Sequence, residues 1–216
     1  MTPSLLQTLP VFAPAFVRAL GTNLSLAADA LALGFPVGVL LGMLCLPART
    51  PDDTTVWRRL GARGAAAALA LMRAAPAFVV MFVLLNALPT RWEVSAGGAV
   101  ALSLAVYAAA FVADTALVAV MDWRSGARGG AVLFVLGLAR AYFVMVLSSG
   151  FGAAIGVTEA TAVTLRTLER LGTTSDRLLL IGGVVLVFVA LRQSLYAAIF
   201  VVRRLVETHL LRDRAG

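Results

Sequence analysis

Five runs of apolar residues, each long enough to cross a bilayer, leave this chain few ways to fold. They lie at residues 20–46, 64–88, 97–121, 131–154 and 178–202, each bounded by proline, glycine or charge. A hydrocarbon core about 30 Å thick takes about 20 residues at the rise of a helix. Backbone polar groups inside it must be satisfied within the segment or in a closed barrel, and uninterrupted apolar runs of this length read as helices. The fold class is therefore all-α, a polytopic membrane protein with five transmembrane helices. Composition agrees: 13% of residues are charged, against roughly 25% in soluble domains, and the mean hydropathy is +0.94. Pro3, Pro10 and Pro14 mark residues 1–19 as an interfacial N-terminal segment. The five-helix domain is expected at 20–206 and a cytoplasmic tail at 207–216.

Arginine orients the bundle. All 18 basic residues are Arg, so the pI near 11.1 is first a statement about topology rather than about nucleic acid. The first loop, the third loop and the tail hold Arg49, Arg58, Arg59, Arg63, Arg124, Arg128, Arg203, Arg204, Arg212 and Arg214; the opposite face holds only Arg18, Arg91, Arg166, Arg170 and Arg177. The positive-inside rule then puts the C-terminus in the cytoplasm and, with five spans, the N-terminus outside. Between spans four and five, the helical spacing of Val163, Leu165, Leu168 and Leu171 after a cap candidate at Thr158 predicts an amphipathic helix on the outer surface.

Several chemistries have no residues to run on. Cys45 and His209 are each the only one of their kind, which excludes an internal disulfide and a Cys/His metal site. No phosphate-loop motif occurs, so nucleotide-driven work would fall to a separate subunit. Ser148 and Ser149 have no His or Lys relay, and the acids do not pair at hydrolase-like spacing. No catalytic residues, bound cofactor or metal are expected, and the chain reads as a non-enzyme.

What remains is charge inside the membrane. Asp29 lies in span one, and Arg73, Asp114, Arg140 and Arg192 lie in spans two to five. Each costs roughly 2.5 to 3.5 kcal/mol on insertion scales, which makes intramembrane charges candidates for a translocation or gating path. Counted from the cytoplasmic ends, the last four sit about seven to ten residues deep, roughly 10 to 15 Å, so they are expected to share a layer. Snorkelling, or pairing with Asp114, is the competing structural role. Pro76, three residues after Arg73, is expected where span two bends. Asn23, Asn86, Ser103, Gln193 and Ser194 are expected to hydrogen-bond between helices. Gly34, Gly38 and Gly42 form a G-x-x-x-G-x-x-x-G row that allows another backbone to approach closely, with Pro36 kinking the same span.

The order of these features resembles the permease subunits of ABC importers for polar amino acids. Span two of that family reads roughly R-G-T-P-L-L-V-Q-L-F; here Arg73, Ala74, Ala75 and Pro76 lead into "AFVVMFVLLNALP". Its span three carries A-Y-x-A-E-x-x-R-G, which "VYAAAFVAD" meets at Tyr107, with Ala110 and Ala113 where the acid and base would stand. After span four its K-D-T-S-L-x-x-x-I-G-V-x-E-L is similar to "LSSGFGAAIGVTEAT", at Ile155, Gly156, Val157, Glu159 and, for the serine, Ser149.

The resemblance covers most of the chain and implies a type I ABC importer permease-like fold in a bacterial inner membrane, carrying amino acids or similar small polar solutes. It implies a second permease, an ABC ATPase dimer that holds the ATP, and an extracytoplasmic solute-binding protein as partners. The departure is in the third loop. "DWRSGARGGAVLFVLG" lacks the family's G-Q-x-E-A-A and enters the next span about 15 to 20 residues early; Gly disfavours helix and such a loop offers no apolar docking face. Trp123, Arg124 and Arg128 thus mark a reduced coupling loop, which implies a heteromer whose other permease carries more of the ATPase contact. The alternative is a non-transporting accessory or scaffold subunit of a membrane complex.

Overall fold

In the computed structural model, residues 3–47, 55–87, 94–126 and 130–212 are described, apart from the side chains of 202, 203 and 205–212. Among them the regular structure is all helix. The order is α1 (Leu5–Leu44), α2 (Val56–Ala74), α3 (Ala77–Ala87), α4 (Ala96–Arg124), α5 (Gly130–Ser148), a 3-10 helix (Ser149–Ile155), α6 (Ala160–Arg170) and α7 (Thr174–Arg212). Four segments are long and apolar enough to cross a membrane, and the bent pair α2–α3, counted as one span, makes the expected five.

Three features of the helices go beyond the expected spans. Helix α1 takes in residues 5–19 as well as the first span and runs through Pro10, Pro14 and Pro36 for 40 residues. Each proline removes one N–H, and the remaining bonds carry the helix past it. At 1.5 Å per residue α1 is about 60 Å long, twice the hydrocarbon thickness, so several turns lie outside it. At the other end α7 continues to Arg212, so most of the expected tail is helix. The second span is not one rod but two helices at 96°.

The chain divides into two compact units, Ala13–Val163 and Met1–Phe12 with Thr164–Gly216. In the first unit, the glycine row sets the packing of α1 on α4. A Cβ on Gly34 would stand 2.5 Å from the Ala105 carbonyl oxygen, one on Gly38 2.5 Å from that of Ala109, and one on Gly42 2.8 Å from that of Ala113. The stride of four residues is the same on both helices, so hydrogen on one backbone faces carbonyl on the other over two turns, the close approach that small residues permit. Alanine supplies most of the buried face of α4, including Ala105, Ala108, Ala109, Ala113 and Ala116. Gly130 repeats the device at the start of α5, where a Cβ would meet the Ala119 carbonyl oxygen at 2.6 Å.

In the second unit, Thr173 caps α7, its Oγ1 accepting from the Asp176 N–H at 3.1 Å. Arg177 donates Nε and Nη2 to the Leu171 carbonyl at 3.0 and 2.8 Å, satisfying the end of α6. Thr164 and Thr167 of α6 and Leu171 just after it are buried, while Leu165 is half exposed. The helix is amphipathic as expected, but its buried face is carried by threonine as well as by Leu171.

Candidate functional site

The break in span two is built by one residue. Pro76 lacks an N–H and its ring pushes the preceding residue out of helical conformation; Ala75 accordingly stands at φ −76°, ψ 122°. The Ala75 N–H still reaches the Leu71 carbonyl at 3.1 Å and ends α2, and the Val80 N–H to the Pro76 carbonyl, also 3.1 Å, begins α3. Ser103, fully buried on α4, donates its hydroxyl to the Ala77 carbonyl at 2.9 Å and fixes the first turn of α3. Met81, also fully buried, holds the same helix. On the other side of the break Leu69 packs with Ala110 and Ala113, flanked by Leu41, Cys45 and Met72.

Arg73 projects from the last turn of α2 and its Nη2 donates to Asp114 Oδ1 on α4 at 2.5 Å. Both side chains are about half exposed, 48% and 54%, so the pair lies at the edge of the packed core. Among the expected layer only these two meet. Arg140 on α5 and Asp29 on α1 are exposed, with no ion-pair partner among the described residues. Arg192 belongs to the other unit and lies over the Tyr196 ring, 5.3 Å from its centroid. An unpaired charge in a span is costly, whereas removing both members leaves apolar side chains that lipid accepts. Arg73→Leu alone should therefore cost about 2 to 3 kcal/mol, and Arg73→Leu with Asp114→Leu should recover most of it, as read from SDS unfolding of the purified chain.

A second polar group is wholly buried. Asn23 on α1, Ser149 at the start of the 3-10 helix and Glu159 before α6 are each exposed by 1% or less. Asn23 Nδ2 donates to Ser149 Oγ at 2.7 Å and to Glu159 Oε2 at 3.0 Å, and Asn23 Oδ1 accepts the Ala160 N–H at 3.0 Å. The Glu159 carboxylate accepts the Thr161 and Ala162 N–H groups, both at 2.8 Å. Ser149 completes the set by donating to the Val146 carbonyl at 2.7 Å. No buried side-chain nitrogen or oxygen in the described structure lacks a partner. The cap of α6 is thus Glu159, not Thr158: its carboxylate satisfies orphan amides at the positive end of the helix. Gly156, at φ 91°, makes the left-handed turn that brings residue 159 back to α1.

Sequence reasoning named all three residues but did not join them. Asn23 was expected to bond between helices, as it does. An acid just before a helical run was the available signal for the cap. Asn86 instead donates to Phe82 within its own helix, at 2.8 Å.

At the end of α4, Trp123 is 73% exposed and Arg124 donates Nη1 to the Pro47 carbonyl at 3.0 Å. Gly126, at φ 83°, ends the helix turn, and α5 begins at Gly130. Arg128 lies outside the described residues.

A broken second span, a glycine-packed first and third span and an amphipathic helix between the last two define a polytopic all-α membrane domain. That fold is found in a known transporter chain. The structure resembles one chain of the crystal structure of an amino acid ABC transporter with histidines, with a TM-score of 0.67 at 15% identity, over 91% of this chain and 98% of that one. The fold is that of this ABC transporter chain. No protein family matches the sequence, and no curated protein matches it either.

Proposed function

We propose that this chain is a transmembrane permease subunit of an ABC importer for amino acids or similar small polar solutes. The observation that carries the reading is the fold likeness over nearly the whole of both chains. It is supported by the pairing of a charged residue with a helix break at Arg73–Pro76, in the order that the sequence resemblance led one to expect. In this reading the N-terminus lies outside and the C-terminus inside a bacterial inner membrane. A second permease completes the path, an ATPase dimer holds and hydrolyses the ATP, and a solute-binding protein delivers the solute; this chain binds no cofactor itself.

Alternating access in such assemblies is largely rigid-body rocking of one half against the other around a fixed site, with ATP binding stabilising one of the states. The glycine row makes α1 and α4 move as one body. The break at Ala75–Pro76 lets α2 and α3 change their angle without tearing a helix apart, since the proline has already removed the bond that would be lost. Arg73 sits beside that break, and a solute carboxylate competing for its guanidinium would release Asp114.

The short connection at 125–129 supports a heteromer in which the other permease makes more of the ATPase contact, and it is also what favours the accessory-subunit alternative. Affinity purification from native membranes with mass-spectrometric identification separates them. A second permease and a phosphate-loop ATPase should co-purify with this chain. A stable homodimer with the ATPase would remove the heteromer, and recovery with an unrelated membrane complex would favour the accessory role.

A further inference from the structure

Helix α7 is the barest of the spans. Of its apolar window 6% is buried, against 22 to 44% in the other three unbroken spans. What cover it has falls on one stripe, Leu180, Val184, Phe188, Leu191, Leu195 and Ile199, each buried or half-buried. Spacings of three and four residues put these side chains on one helix face. The opposite stripe, Gly182, Leu186, Val189, Gln193, Ala197 and Phe200, keeps the same spacing and is exposed along its whole length.

Two features set this open stripe apart from a surface made only for lipid. The first is small residues. Nothing lies within 4 Å of a Cβ built on Gly182 or on neighbouring Gly183, whereas each glycine of the α1 row meets the backbone of α4. Glycine inside a helix is destabilising, and lipid returns nothing for it; a second helix does, through close approach.

The second is polarity at mid-span. Arg192, Gln193 and Ser194 follow one another, and all three are exposed. Arg192 stands about 14 residues from Leu178 and about ten from Val202, roughly 21 and 15 Å at helical rise, well within a hydrocarbon core about 30 Å thick. Gln193 lies at the middle of the open stripe, and the turn of the helix puts Arg192 and Ser194 on its two flanks. Arg192 is the only charged residue from 178 to 202. It lies over the Tyr196 ring, 5.3 Å from the centroid, and has no ion-pair partner among the described residues. A ring face attracts the cation but supplies no lone pair to its five N–H donors.

Charge complementarity then selects the occupant. Lipid tails offer neither an acceptor nor a counter-charge. A second copy of this chain would bring a second Arg192 and no acid on its own α7 span. A single carboxylate answers both needs, since it accepts from the Arg192 guanidinium and the Gln193 amide at once and cancels the buried charge.

We infer that the open stripe of α7 is a docking face for a transmembrane helix of another chain, one that carries an Asp or Glu opposite Arg192 and Gln193. Naming that chain as the second permease rests on the transport reading; the face itself does not.

The test uses the full-length chain in phosphatidylcholine vesicles with a dye on its C-terminus. The probe is a labelled, Leu-rich, single-spanning helix of about 24 residues with Glu, Gln or Leu at its centre, and association is read by energy transfer. The Glu helix should bind about tenfold more tightly than the Leu helix, with the Gln helix between them. Arg192→Leu should bring the Glu helix down to the level of the Leu helix without lowering the unfolding temperature, because the side chain is exposed. Gln193→Leu should weaken the Glu helix about threefold, and Arg140→Leu, the exposed arginine of α5, should change nothing. Equal binding of the Glu and Leu helices, the same loss in Arg140→Leu as in Arg192→Leu, or self-association of the chain that Gln193→Leu abolishes would each overturn the inference. Displacement of the Glu helix by free glutamate would overturn it too, making Arg192 a contact for a solute carboxylate. Neither solute uptake nor the ATPase takes part, so failure here leaves the transport reading standing, and loss of that reading leaves this face standing.

Discussion

Gly38→Leu is expected to part α1 from α4 and to be among the most damaging single changes in the chain. The Cβ alone would sit 2.5 Å from the Ala109 carbonyl oxygen and 2.6 Å from Val112 Cβ, and the first of these is backbone, which no rotamer change can move. Overpacking of a core costs typically 1 to 3 kcal/mol when side chains can give way; here the helices themselves must separate, so a loss of about 3 kcal/mol or more is expected. Separation would also strip the matching contacts at Gly34 and Gly42, because all three lie on one stripe. Gly21→Leu is the control: nothing lies within 4 Å of its Cβ position, and its unfolding midpoint in SDS should match the parent's. Equal midpoints for the two variants would mean that α1 and α4 are not packed through this row.

Glu159→Gln should be nearly as costly although it keeps the shape of the side chain. One carboxylate oxygen accepts from Ala162, and the other from Thr161 and Asn23. An amide has one oxygen, so in either orientation its NH₂ faces a backbone N–H, and at least one buried donor loses its acceptor. An orphaned buried group costs about 1 to 3 kcal/mol and loss of a cap about 1, which places the variant about 2 to 4 kcal/mol below the parent. Ser149→Ala should cost only about 1 kcal/mol, because Asn23 Nδ2 keeps its bond to Glu159. Hydrogen exchange provides a second reading: the amides of Thr161 and Ala162 should lose protection in Glu159→Gln and keep it in Ser149→Ala. The reverse order would remove Glu159 as the keystone of this segment.

The spans were legible because the bilayer leaves so little choice. Twenty apolar residues in succession specify a helix whatever their order, and the glycine stride of four marks its contact face. Pro76 likewise announced a bend, though not one of 96°, since the angle depends on how Ser103 and Met81 hold α3. Where sequence reasoning fell short, distance along the chain was the reason. Asn23 and Glu159 stand 136 residues apart, and no local pattern joins them. The charged layer was read by depth alone, which cannot say on which side of a helix a residue lies. Arg73 and Asp114 share a side and meet, while Arg140 has no ion-pair partner among the described residues. Of the N-terminal prolines, Pro10 and Pro14 lie within α1, a helix extent that their positions alone did not announce.

The most direct test of the account is solute uptake. Vesicles holding this chain with its partner permease and ATPase, supplied with the binding protein, should take up a labelled polar amino acid in an ATP-dependent manner. Uptake should fall to background when this chain is left out. Undiminished uptake and ATP hydrolysis without it would contradict the account.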